Sequence, residues 1–306
     1  MKTIITTILL SLALAMVAHA DGVQVDVSIT KTQNFLEENK LALIKGAGGA
    51  HDDLTAFSQD SIMFYGEAAG NPAHKTLAQR GINAKRAAVT IAQRALTEYL
   101  EGIVIVGATL VKDSIMQNDV IVSTVTGFVK GSQVVHQEYN EDTDIATAVI
   151  KVAIRGPKGF ASTFYEKLST DPVLKKAVKT DKKPFIAPEV KLDVAFDGLI
   201  IDATEQNFRP ALINRIFATK GDVLYDPAKI SQKVLVEQGC GEYTNSVDKA
   251  KAALGTRGVK NPLIIKASGA TNPADLQVTD DDAVTIYSAD QKGSFMAAAK
   301  VAFVLK

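Results

Sequence analysis

Beyond the first twenty positions, three histidines, one cysteine and a few acidic runs are the residues whose types could do chemistry. His51, His74 and His136 stand in no H-x-x-H or H-E-x-x-H spacing, so no zinc site is written locally. His51-Asp52-Asp53 sets possible metal ligands side by side, but a solvated polar turn is the expected reading. Thr279-Asp280-Asp281-Asp282 is acidic enough to suggest calcium, yet it lacks the distal glutamate and alternating oxygens of a calcium loop. It fits a helix start, where Thr279 or Asp280 caps free N–H groups and the carboxylates meet the positive end of the helix dipole.

The remaining motifs are weaker. Lys45-Gly46-Ala47-Gly48-Gly49 has no G-K-[ST] after it, so it is not a phosphate loop. Ser28-Ile29-Thr30-Lys31 has the S-x-x-K spacing of penicillin-binding enzymes without their S-x-N and K-T-G elements. Asp197 and Asp202 are separated by an odd step on a strand, so they face opposite sides and form no dyad. Cys240, the single cysteine, lies between Gly239 and Gly241; a small buried hydrophobe is expected there, the alternatives being an intermolecular disulfide or a reactive thiol. No catalytic, cofactor-binding or metal-binding residue emerges, and the expectation is a protein that is not an enzyme and carries no cofactor.

Composition agrees with export. Residues 1–20, MKTIITTILLSLALAMVAHA, join Lys2 to an apolar run and end on Ala18-His19-Ala20, a secretory signal expected to be cleaved after Ala20. No cysteine stands at the cleavage point, so no lipid anchor is expected, and no later stretch is long enough to span a bilayer. The 34 basic and 34 acidic residues balance, which removes any electrostatic case for nucleic acid. With one cysteine there is no disulfide framework, and stability must come from packing over a length of roughly two domains.

The elements that would position any site read as α+β in two modules. After a mixed N-terminal segment, 21–60, with a strand at 21–30 and a short helix at 35–44, the first module covers 61–154. It has a short strand at 62–65 and a long helix near 74–99 whose apolar residues Leu77, Ala84, Ala88, Ile91, Ala92, Ala95 and Tyr99 fall on one face. Four strands are predicted next, at 103–111, 120–130, 133–139 and 145–154, giving a long helix packed on a mostly antiparallel sheet. Residues 155–190 read as a linker with a helical segment at 160–168. The second module, 191–306, is mixed α/β. Its strands are expected at 194–203, 263–267 and 301–305, with a hairpin at 214–225 and helices at 245–254 and 279–288.

Three stretches carry a resemblance. Gly66-Glu67-Ala68-Ala69-Gly70-Asn71-Pro72, then Ala84-Lys85-Arg86-Ala87-Ala88-Val89-Thr90-Ile91-Ala92-Gln93-Arg94-Ala95-Leu96, then Val104-Ile105-Val106-Gly107-Ala108-Thr109 resemble the LPP20 lipoprotein family and the related N-terminal domain of FlgT. Residues 127–135 look like that family's G-x-V-x-G-x-x-V-V hairpin. The resemblance covers 62–154. Asp197-Gly198-Leu199-Ile200-Ile201-Asp202-Ala203, Arg209-Pro210-Ala211-Leu212 and Asn261-Pro262-Leu263-Ile264-Ile265-Lys266-Ala267 look like a C-terminal region of long exported members of the group, with Thr204-Glu205 standing where those often have Arg-Gly.

This resemblance implies a periplasmic, non-enzymatic protein that acts on other envelope proteins, with flagellar basal-body components among the candidates. For partner contact the residues singled out are Arg80, Lys85, Arg86 and Arg94 on the long helix. Two alternatives stand beside it: a periplasmic or secreted small-ligand binding protein, which would show a formed pocket with convergent polar groups, and an enzyme gathering distant carboxylates or His136 in a cleft.

Overall fold

The computed structural model describes residues 30–39, 43–44, 53–59, 61–115 and 119–306. Residues 1–20, read as a secretory signal, lie outside them, as do Ser28, the glycine run at 46–49, His51 and Asp52, and the strand read at 21–30 except for Thr30. In chain order the first half contains α1 (Thr30–Asn39), β1 (Leu43–Ile44), α2 (Asp53–Ser58), β2 (Ile62–Ala69), α3 (Leu77–Glu101), β3 (Val104–Val106), β4 (Thr109–Leu110), α4 (Val111–Ile115), α5 (Asp119–Lys130), β5 (Gln133–Asn140) and β6 (Ile145–Val152). The fold is α+β, with the long helix α3 packed on a mostly antiparallel sheet of order β1-β2-β6-β5.

The local causes are legible. Thr76 opens α3 by accepting the N–H of Gln79 at 3.2 Å. The buried face of α3 is mostly small: Gly81, Ala84, Ala88, Ala92 and Ala95, widening to Leu96, Tyr99 and Leu100. Gly66 of β2 completes the fit, because a side chain there would strike the Ala88 carbonyl and the Ala92 nitrogen. Strands β2 and β6 pair antiparallel from Ile62↔Val152 to Ala69↔Ile145. The β5–β6 turn is tied by Asn140, whose Oδ1 accepts the N–H groups of Asp142 and Thr143 at 2.9 and 3.1 Å.

One predicted strand is a helix. Residues 120–130 are rich in β-branched types, but they form most of α5. Ile121 and Val125 are buried, and Phe128 and Val129 pack against the same core; steps of four and three put this set on one helix face. Burial against neighbouring helices outweighs the strand preference of the valines. The residues read as a family hairpin at 127–135 therefore run from the end of α5 into β5, and the expected four-strand meander reduces to the β5–β6 hairpin. The strand read at 103–111 is likewise broken into β3, β4 and the start of α4.

The second half adds α6 (Phe160–Thr170), α7 (Pro172–Ala177), β7 (Gly198–Asp202), β8 (Ala211–Ile213), β9 (Arg215–Ala218), β10 (Val223–Tyr225), a short 3₁₀ turn at Pro227–Lys229, α8 (Gln232–Gln238), β11 (Glu242–Thr244), α9 (Val247–Thr256), β12 (Pro262–Lys266), β13 (Gly269–Asn272), β14 (Asp275–Val278), α10 (Asp280–Gly293) and β15 (Val301–Val304). Strands β11-β15-β7-β12 form an all-parallel sheet, and β10-β9-β14-β13 a mixed one.

The halves share structure. Strand β8 pairs parallel with β3, Val104 opposite Ala211 and Val106 opposite Ile213. One apolar cluster contains Phe64, Leu96 and Ile105 together with Leu199, Ile213 and Phe303. Helix α6, in the stretch read as a linker, belongs to that cluster: Phe160, Phe164, Tyr165 and Leu168 are buried, and the Tyr165 hydroxyl donates to the Leu212 carbonyl at 2.7 Å. A helix with this much apolar area removed from water is a core element and not a connector.

Candidate functional site

The four basic residues singled out on α3 separate into two kinds. Arg80 is half-buried and paired with Asp144 at 3.0 Å, so it is spent on the β5–β6 turn. The Tyr139 hydroxyl also bonds Asp144, and that hydrogen bond, followed by burial and the carboxylate charge, raises the tyrosine pKa. Lys85 is half-buried, and its carbonyl accepts from Gln137 Nε2 at 3.0 Å. Only Arg86 and Arg94 are exposed. They alternate with Ile82 and Thr90 at four-residue steps, forming one row on the outer face of α3, with Ile91 beside it. Ile82 and Ile91 keep 51% and 39% of their surface in water.

The other sequence candidates serve the fold. His136 hydrogen-bonds Thr32 Oγ1 at 2.9 Å and stacks on Phe35, while Thr32 bonds Thr147 at 2.7 Å, which docks α1 on the sheet. His74 bonds Asn83 at 3.0 Å. Thr279 caps α10 by accepting the Asp282 N–H at 3.1 Å. Asp197 accepts the N–H groups of Lys260 and Asn261, each at 2.8 Å, and Asp202 accepts from Thr204, so the two carboxylates are used separately. Among the described residues no group of three His, Cys, Asp or Glu could hold a metal, and no helix is long and apolar enough to cross a membrane.

A polar centre that sequence reading did not assemble lies where α8 runs into β11. Gly239 ends α8 with φ 70°, donating its N–H to the Leu235 carbonyl at 2.8 Å, and Gly241 follows with φ 153°. A side chain at Gly241 would meet the Phe303 ring. Cys240 between them is buried; its Sγ contacts the Tyr243 hydroxyl at 3.0 Å and the Ala211 carbonyl at 3.7 Å. Tyr225 donates to the Cys240 carbonyl at 2.7 Å, and Tyr243 donates to Asn214 Oδ1 at 2.5 Å. Burial, then the nearby thiol, pushes the pKa values of Tyr165, Tyr225 and Tyr243 far up, so these phenols are neutral donors.

Beside the thiol, Glu242 sits between two guanidinium groups. Arg155 Nη1 donates to its Oε2 at 2.7 Å and to the Phe57 carbonyl at 2.8 Å. Arg257 Nε donates to Oε1 at 2.8 Å, and its Nη1 reaches the Ala299 carbonyl at 2.7 Å. Burial works to raise the Glu242 pKa, but the Arg155 hydrogen bond and the charges of Arg155 and Arg257 outweigh it and hold the carboxyl below its ordinary range. These groups line a cavity of about 400 Å³ whose wall also includes Ser162, Ala253 and Gly241. Arg155, Asn214, Glu242 and Arg257 are far apart in sequence and carry no motif; the only local signal was the Gly239-Cys240-Gly241 turn.

Comparison with known proteins bears on one part of this arrangement. No curated protein matches the chain. The stretch that does match a family model begins at β7 and runs to the C-terminus, so it contains Cys240, Glu242 and Arg257 and leaves Arg155, Tyr165 and all of 62–154 outside. Over residues 198–306 the chain is similar to the second domain of Treponema pallidum Tp0624.

Proposed function

We propose that this is an exported, non-enzymatic envelope protein of the periplasm that acts by binding other envelope proteins, in flagellar or outer-membrane-associated assembly. The observation that carries it is the outer row of α3. Ile82, Arg86, Thr90 and Arg94 stand in register on a helix whose opposite face is fully used in the core. Two exposed isoleucines beside two exposed arginines suit a partner surface that is apolar with acidic residues at its rim. The flagellar direction rests on the resemblance of residues 62–154 to the LPP20 and FlgT group.

A photo-crosslinking residue at Thr90, used in cells of the source organism, tests this. One envelope protein should be captured, and Arg86→Glu with Arg94→Glu should abolish its capture while the protein stays folded and exported. Capture that survives the double reversal would sink the reading. Loss of motility on deletion of the gene would support the flagellar branch, and normal motility would remove it.

The alternative, a small-ligand binding protein, is favoured by the cavity at Arg155 and Glu242.

A further inference from the structure

Arg155 is only half employed. Both of its hydrogen bonds, to Phe57 and to Glu242, are made by Nη1. Its Nε and Nη2 make none among the described residues, and neither is a sealed, unsatisfied atom; this edge of the guanidinium is open where Arg155 lines the cavity. Arg257, in contrast, uses Nε, Nη1 and Nη2 on Glu242, Ala299 and Gln238.

Two further donors belong to the same wall. The main-chain N–H groups of Cys240 and Gly241 donate to no described residue, although both residues are buried. Both residues precede β11, which is itself the edge strand of its sheet. Glu242 neutralises one of the two guanidinium charges, and the other wall carboxylate, Glu237, is exposed to solvent. A site with an open guanidinium edge and spare N–H donors, whose second wall carboxylate lies in solvent, is suited to an oxyanion.

We infer that this cavity binds a small molecule bearing a carboxylate or phosphate group, its oxygens taken by the open edge of Arg155 and by the N–H groups of Cys240 and Gly241. The guanidinium fork meets two oxygens at once, which both chemistries offer. A cavity of about 400 Å³ holds a small metabolite and not a polymer. The inference stands apart from the envelope reading, and either can fail without the other.

The test is a titration of ¹⁵N-labelled protein with succinate and with inorganic phosphate, following the amide signals of Cys240 and Gly241, with succinamide as the neutral control. One anion should give saturable shifts and succinamide none; which anion binds tighter separates carboxylate from phosphate. Arg155→Lys keeps the charge beside Glu242 but loses the fork, and it should weaken binding about tenfold or more. Ala253→Leu narrows the cavity without touching Arg155 and should weaken binding too. No saturable shift in the natural protein overturns the inference, even if Arg155→Lys fails to fold. Unchanged affinity in a folded Arg155→Lys overturns it as well.

Discussion

Arg155 and Glu242, 87 residues apart in sequence, meet at 2.7 Å with both side chains largely out of water. Arg257 holds the other carboxylate oxygen. One carboxylate thus ties the connection after β6 to the edge strand β11 and to the end of α9. Such an arrangement is costly to break, because Arg257 above all would remain buried without its counter-charge.

Glu242→Gln should lower stability by about 2 kcal/mol at neutral pH, read as a drop in urea midpoint. The pH dependence follows from the depressed pKa. The folded carboxyl titrates below its ordinary value of 4.5, so its contribution is present above that value and is lost as pH falls through the folded pKa. The gap between natural protein and variant should therefore narrow in acid. An equal gap at neutral pH and below the folded pKa would contradict this account.

Gly66→Ala should cost about 3 kcal/mol, because the added carbon meets the backbone of α3 at Ala88 and Ala92, which cannot give without shifting the helix. Gly81→Ala is the control. Its added carbon meets the Tyr139 ring at 2.7 Å, side-chain atoms that can shift more readily than helix backbone, and the loss should be smaller. Urea melts followed by circular dichroism rank the two, and the reverse order would refute the packing argument.

Asn214→Ala should cost about 3 kcal/mol by stranding several buried groups at once. Asn214 is fully buried; it accepts from the Ala211 N–H at 2.7 Å and from Tyr243, and donates to the carbonyls of Ala274 and Arg209 at 2.8 and 3.1 Å. Hydrogen exchange gives the local reading. The Ala211 amide should be protected in the natural protein and exchange much faster in the variant, and persistent protection would mean that a different acceptor takes over.

Elements whose signals are local were legible in the chain. The spacing of Ala84, Ala88, Ala92 and Tyr99 marks α3, Thr279 before three aspartates marks the start of α10, and Asn140 marks the β5–β6 turn. The segment 120–130 carries conflicting signals: Ile121, Val122 and Val125 favour strands by type, while the spacing of Ile121, Val125 and Phe128 favours a helix. What settles it is the neighbours: α5 lies against α3 and α6, with Phe128 packed edge-on to Phe160 at 5.5 Å. The core role of α6 is not legible in the chain, because the prolines and lysines around it have the composition of a connector.

Of the basic residues on α3, the sequence alone determined that Arg86 and Arg94 share a helix with an alanine face, since helical periodicity is a property of spacing. It determined too that Cys240 sits in a glycine turn, and that no local metal or nucleophile motif is present. Only the tertiary structure decided that Arg80 is consumed by Asp144, that β3 and β8 join the halves, and that Arg155, Glu242 and Arg257 converge beside Cys240. The physical reason is the range of the interactions. Helix caps, turns and periodic faces depend on residues a few positions apart, whereas a carboxylate between two guanidiniums depends on where three distant segments are packed.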